Sequence, residues 1–354
     1  MFSIFRSRHP GTALINGEPV LVDPKETLLQ AALRQGIDFP HSCRVGGCAS
    51  CKCKLVSGRV RELTDSGYIL TDEELDAGYI LACQSVPKGD VHIEVDLSQQ
   101  RARQQVAGKI IAQEPLTHDI TRLVVQLEEG LAYKAGQYAD LTLDCLPEAP
   151  RSFSFASPVQ ADAKVSFFVR RVPGGQFTGR VCGESLIGQG ITVDGPLGDF
   201  TLRPGAAPLL LVAGGSGLAP LLAILQDALG HGVARPVTLL FGAREERDLY
   251  AIEAIQELAK QWPAPFRFIP VLSEAGPDSS WHGAKGLVTA QIPALLEPGA
   301  HAYLCGPPGM IDSAEALLRE AGVAREHIHA DRFTNRSQGP ASTRHPVIEH
   351  QQEN

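Results

Sequence analysis

Four cysteines crowd into the run His41-Ser-Cys-Arg-Val-Gly-Gly-Cys-Ala-Ser-Cys-Lys-Cys53. Cys43, Cys48 and Cys51 follow C-x4-C-x2-C, and Cys83 comes after 31 intervening residues. This is the plant-type spacing for a [2Fe–2S] cluster, in which a tight loop aims three thiolates inward and a remote fourth closes the set. Gly46 and Gly47 let the backbone approach the sulfides without a Cβ in the way. A zinc site, the first alternative, usually takes two short-spaced pairs rather than a triplet and a distant single. A set of buried free thiols is the second alternative. Cys53 reads as a strand residue beside the loop, and Cys145 and Cys182 as core thiols.

The remaining chain divides by pattern. Residues 1–98 hold the cysteine loop, an Asn16-Gly17 hairpin signal within Ala13 to Val22, and a short helix from Glu26 to Gln35 closed by Gly36. Residues 99–106 carry almost no apolar side chain and read as a linker. From 107 to 203, short apolar runs recur between glycine and proline turns, among them Ile120 to Leu127, Tyr138 to Leu143, Val165 to Val169 and Gly190 to Val193. Such spacing predicts an antiparallel barrel or sandwich. From 204 to 336, continuous apolar strands such as Leu209 to Ala213 alternate with helical segments, which predicts a doubly wound parallel sheet. The tail 337–354 is polar and proline-broken, and is expected to be mobile.

Charge and hydropathy exclude two classes of function. A net charge of -8 and a pI near 5.8 argue against phosphate-backbone binding, so no nucleic-acid partner is expected. No run approaches the length of a transmembrane segment, and the N-terminus lacks the apolar core of a signal peptide. Met1 to Arg8, with Phe2, Ile4 and Phe5 among Arg6 and Arg8, is too short for stable membrane anchoring. Unpaired cysteines in such a chain fit a reducing, cytoplasmic setting.

Two further segments carry site chemistry. Arg151-Ser152-Phe153-Ser154 follows an apolar strand. Its arginine can neutralise a diphosphate, its ring can stack on a flavin, and Ser154 can hydrogen-bond a flavin edge. Val169 to Thr178, with Gly174, Gly175 and Gln176, joins a strand to a helix start that would present N–H groups to phosphate. Gly214-Gly215-Ser216-Gly217 joins a buried strand to a helix, but Pro220 stands where the full dinucleotide fingerprint has its third glycine. Cys305-Gly306-Pro307-Pro308-Gly309-Met310 ends another strand, at the carboxyl edge where ligands bind in parallel sheets.

In this order the three segments resemble the ferredoxin–NAD(P)H reductase family with a plant-type ferredoxin domain fused in front, as in reductase components of bacterial multicomponent oxygenases. The resemblance covers about residues 12 to 336. It is strongest to the electron-transfer components of xylene-type monooxygenases, on Gln35-Gly36-Ile37 through Cys51, Phe241-Gly242-Ala243-Arg244 through Asp248-Leu249-Tyr250, and Ala330-Asp331-Arg332-Phe333. It implies a β-grasp [2Fe–2S] domain, an FAD barrel and an NAD domain. It implies FAD held by Arg151, Phe153, Ser154 and Val169 to Thr178. It also implies NADH at Gly215 to Pro220, Arg244 and Cys305 to Met310, with Cys305 near the hydride path and Phe333 stacked on the flavin. The family's Arg-x-Tyr-Ser is Arg-x-Phe-Ser here, which keeps stacking and loses a hydroxyl. Many relatives also have Gly-Thr-Gly where this chain has Gly215-Ser216-Gly217.

The expected function is electron transfer from NADH through FAD and the cluster to the iron centre of a separate oxygenase. The expected partner is a non-haem diiron hydroxylase of hydrocarbon or aromatic substrates, membrane-bound in some systems, so that this chain would meet the inner membrane only through its partner. The reductase of a Rieske aromatic-ring dioxygenase uses the same modules. A metal-stapled interaction protein with an inactive reductase body is the non-enzymatic alternative. A flavin and cluster absorption spectrum separates this last reading from the others.

Overall fold

A computed structural model of the chain describes residues 11–37, 39–41, 46, 50–70, 72–97, 103–276 and 279–333. The N-terminal segment with Phe2, Ile4 and Phe5, the cluster residues Cys43 and Cys48, Gly47, and the tail 337–354 lie outside the described residues.

The first unit is a mixed five-stranded sheet in the order Glu18–Val22, Gly11–Ile15, Val91–Glu94, Lys52–Ser57, Tyr79–Leu81. Asn16 and Gly17 turn the hairpin with positive φ (51° and 88°), the geometry that Asn-Gly favours. The Asn16 side chain also bonds both backbone groups of Val95, tying the hairpin to the last strand. The helix Leu28–Arg34 begins at a Thr27–Gln30 capping box and buries Leu28, Leu29, Ala31 and Ala32 against the sheet.

The second unit is a six-stranded antiparallel sheet in the order Arg151–Ser154, Tyr138–Leu143, Gly190–Leu197, Gln104–Pro115, Ile120–Leu127, Lys164–Arg170. A bridge between Phe155 and Phe167 joins its two ends and closes a barrel. Inside, Tyr133 stacks on Phe155 with centroids 3.7 Å apart, and Phe167 follows at 5.2 Å. One sequence expectation needs correcting here. Gln104 to Val106, assigned above to the linker, pair with Val193 to Gly195 as the first rungs of a barrel strand. Of the three, only Val106 is buried, and neighbouring Arg103 forms an ion pair with Asp194 at 2.5 Å. A strand whose polar residues face solvent has the composition of a linker.

The third unit is an all-parallel sheet in the order Ala284–Lys285, Phe266–Leu272, Val237–Ala243, Leu209–Gly214, His301–Gly306, Ile328–Arg332. Leu209, Leu211 and Ala213 pack with the helices Leu218–Gly230 and Ile252–Gln261, while Leu210 and Val212 pack with Pro308–Glu320. Helices therefore cover both faces, and strand order reverses between Leu209–Gly214 and His301–Gly306. The crevice outside the carboxyl ends of that strand pair is where such sheets bind ligands.

The units share surfaces. Ile120, Ala135, Ala156, Phe168 and Phe200 of the barrel belong to one apolar core with the parallel sheet, and the Phe168 ring meets Tyr250 edge-on at 5.5 Å. The cysteine-bearing unit touches both others: Ser50 Oγ donates to Asp199 at 3.1 Å, and Arg325 donates to the carbonyls of Gly67 and Leu70 at 3.5 and 2.5 Å.

Candidate functional site

Cys51 and Cys83 are both buried, and the Cys83 N–H donates to Cys51 Sγ at 3.4 Å. Gln84 Nε2 donates to Cys83 Sγ at 3.5 Å. Amide donors on two adjacent sulfurs suit thiolates that hold an iron–sulfur cluster. Gly46 has φ +79°, and a Cβ there would come within 2.7 Å of the Gln84 side chain, so the loop needs glycine on both counts. Cys53 is core: burial, with Cys83 nearby, pushes its thiol up to about 12. Cys145 is not a core thiol, because it is exposed, whereas Cys182 is half-buried and packs at the edge of the barrel core.

On the barrel, Arg151 is half-buried and donates to the Pro150 carbonyl at 2.8 Å. The Phe153 ring lies 5.3 Å from Phe177, which brings the Arg151–Ser154 strand against the helix Gln176–Gly183. Gly174 has φ +71° and Gly175 caps that helix, so the N–H groups from Gln176 onward open its N-terminus. A Cβ on Gly175 would sit 2.5 Å from Thr178 Oγ1, which accepts the Val172 N–H at 3.1 Å. Val169 departs from expectation. Its side chain is wholly buried in the barrel core, so only its backbone can face a ligand.

At the reversal of the parallel sheet, glycines bring two loops into contact. A Cβ on Gly217 would lie 2.2 Å from the Cys305 carbonyl oxygen, and one on Gly214 would lie 2.7 Å from Met310 Sδ and 3.0 Å from Pro307. Gly306 takes φ +152° beside the Gly214 backbone. The turn Gly215–Gly217 then feeds the helix Leu218–Gly230, with the Gly215 carbonyl accepting from Tyr250 at 2.9 Å. This small-residue cradle at a helix start suits a pyrophosphate. Ser216 is buried within it.

Two sequence-predicted residues need qualification. Cys305 is fully buried, and burial, then the nearby Asp331, pushes its thiol well above the ordinary value. It stands beside the cradle as a neutral thiol. Arg244 is half-exposed and already faces carboxylates, Asp248 at 3.5 Å and Asp119 at 3.9 Å.

Two residues had no role of their own in the sequence reading, Arg170 lying within the segment Val169 to Thr178 and Asp331 within Ala330 to Phe333. Arg170 ends the strand Lys164–Arg170 and places Nη1 3.0 Å from where a Cβ on Gly215 would be, so a barrel arginine overlooks the cradle. The Arg170-Arg171 pair at a strand end was its only sequence signal. Asp331 pairs in register with Cys305 and accepts from Ser154 Oγ at 3.4 Å. Two residues on, the Phe333 N–H donates to Gly306, and its half-buried ring packs on the shared core. Ser154, Cys305, the glycine cradle and Phe333 are thus gathered from four chain segments at one edge of the parallel sheet.

Three family models match in succession: a 2Fe-2S iron-sulfur cluster binding domain over 14–88, an oxidoreductase FAD-binding domain over 107–202 and an oxidoreductase NAD-binding domain over 211–316. The chain is 45% identical to the xylene/toluene monooxygenase electron transfer component of Pseudomonas putida, across 88% of this chain and 89% of that protein. It is 36% identical to the reductase component of phenol 2-monooxygenase from Pseudomonas sp., across 91% and 94%. A crystal structure of a cytochrome P450 reductase from Amycolatopsis superposes with a TM-score of 0.70 at 32% identity, covering 92% of this chain and 99% of that one. Buried thiols with amide donors, a barrel strand facing a nucleotide cradle, and likeness along nearly the whole chain lead to one assignment: it belongs to the ferredoxin–NAD(P)H reductase family with an N-terminal plant-type ferredoxin domain, the reductase components of multicomponent oxygenases.

Proposed function

We propose that the chain takes electrons from NADH and delivers them singly to the iron centre of a partner oxygenase. The observation that carries this reading is the Ser154–Asp331 contact, which sets the flavin strand beside the nucleotide cradle. When bound, FAD accepts a hydride and releases electrons one at a time, and the cluster carries them one at a time. The protein's own part is positioning. Arg151 and the N–H groups after Gly175 would hold the FAD diphosphate, Phe153 would stack on the ring system, and Ser154 would bond its edge. Gly215–Gly217, Arg170 and the loop from Gly306 to Met310 would seat the nucleotide. Phe333 would cover the flavin until nicotinamide takes its place. Cys43, Cys48, Cys51 and Cys83 would ligate the cluster.

Likeness to the xylene/toluene monooxygenase component supports a monooxygenase of aromatic hydrocarbons as the acceptor, and we take that acceptor to be a non-haem diiron hydroxylase. No helix among the described residues is long and apolar enough to cross a membrane. The purified protein should show flavin and [2Fe–2S] absorption, bleached by NADH without oxygen. Productive turnover with a Rieske oxygenase and none with a diiron hydroxylase would overturn the partner assignment.

A further inference from the structure

One arginine of the barrel overlooks the nucleotide cradle, a second follows the neighbouring strand of the parallel sheet, and one barrel carboxylate faces both. Arg170 stands over Gly215, beside the pyrophosphate turn. Arg244 follows the strand Val237–Ala243, the neighbour of Leu209–Gly214 in the parallel sheet. The carboxyl end of that second strand is where dinucleotide-binding sheets meet the adenosine ribose, an acid suiting the 2′-hydroxyl and an arginine the 2′-phosphate. Asp119 comes from the barrel, in the turn before Ile120–Leu127. It accepts from Arg170 Nε at 2.8 Å and lies 3.9 Å from Arg244 Nη2. Burial pushes the Asp119 carboxyl up, but Arg170, Thr117 and His118 outweigh it and hold the group below the usual range.

Asp248 is the nearer carboxylate to Arg244, at 3.5 Å, and it also faces His118 at 3.4 Å. Asp248 accepts the Glu245 N–H at 3.1 Å and so shapes the turn that carries Arg244. Arg247, the second arginine of that turn, pairs with Glu245 at 2.9 Å. We infer that Asp119 is a specificity-determining residue for the nucleotide: together with Asp248 it draws Arg244 away from a 2′-phosphate, and its charge repels that phosphate directly, so the site takes a free ribose 2′-hydroxyl. Nucleotide choice is then set across a domain boundary. The inference rests on the reductase reading above.

The test is calorimetric binding of NAD⁺ and NADP⁺ to the holoprotein, since neither ligand reduces it. Asp119→Asn keeps the shape of the turn and removes the charge. It should improve NADP⁺ affinity relative to NAD⁺ by about tenfold, with a gain that shrinks as salt rises. Adding Arg244→Met should remove most of that gain. An unchanged NADP⁺/NAD⁺ ratio in Asp119→Asn, or a gain that survives undiminished without Arg244, overturns the inference. Failure of the wild-type protein to bind either nucleotide would refute the reductase reading instead.

Discussion

Ser154 on the barrel donates its hydroxyl proton to Asp331 of the parallel-sheet unit at 3.4 Å, across 177 positions of sequence. A buried serine that meets a carboxylate at the mouth of the cradle is poised to exchange that partner for a flavin edge. Ser154→Ala should leave FAD bound and slow flavin reduction by NADH about tenfold or more, the effect of one lost hydrogen bond of this kind. Anaerobic stopped-flow absorbance measures it, and full-speed reduction would remove Ser154 from the site.

Phe333 is held at the cradle by its backbone bond to Gly306, while its ring packs on the shared core. A ring that covers the flavin must leave before nicotinamide can stack there. Phe333→Ala should therefore bind NAD⁺ and NADP⁺ severalfold more tightly and discriminate between them less. Unchanged affinities with FAD still bound would make the ring a core plug and nothing more.

The cluster assignment separates two cysteines with only Lys52 between them. Cys51→Ser should lose or cripple the [2Fe–2S] spectrum and collapse cytochrome c reduction. Ferricyanide, which takes electrons from flavin directly, should still be reduced at close to the wild-type rate. Cys53→Ser should keep the spectrum and cost about 1–3 kcal/mol of stability, because it places a hydroxyl in the apolar core. The reverse pattern of spectra would refute the ligand set.

Gly217 has no room for a side chain, with the Cys305 carbonyl 2.2 Å from its Cβ position. Gly217→Ala should force the two cradle loops apart and weaken nucleotide binding about tenfold or more, at about 2–3 kcal/mol of stability. Flavin and cluster spectra serve as the fold control. Wild-type nucleotide affinity in this variant would place the nucleotide elsewhere.

His329 gives the fold a pH dependence. Its ring lies tilted against Tyr303 at 4.7 Å, and burial, with Arg203 close by, holds its imidazole down to about 4 from the ordinary 6.5. The folded state keeps His329 neutral where the unfolded chain binds a proton, so stability should fall as pH drops from 6.5 toward 4. With partial exposure discounted, the loss should be on the order of 1–2 kcal/mol. Urea midpoints across that range should slope less in His329→Gln. An identical slope in the variant would assign the effect to other groups.

Much of the molecule follows from local rules that a sequence displays. Thiol spacing announces the cluster, Asn16-Gly17 announces a hairpin because both residues accept positive φ, and continuous apolar strands announce a sheet covered on both faces. The glycine turn at 214–217 marks a place where backbone must come close. What the tertiary structure alone decided concerns charged and polar side chains. Gln104 and Gln105 have the composition of a linker until Asp194 and Gly195 pair with them. Arg170 and Asp119 lie 51 positions apart, and Ser154 and Asp331 lie 177 apart. An apolar residue's place follows from its own periodicity, because burial depends on how much water it loses. A charge takes its meaning from the charge opposite it, and only strand pairing within the barrel and the packing of the barrel against the parallel sheet determine which one that is.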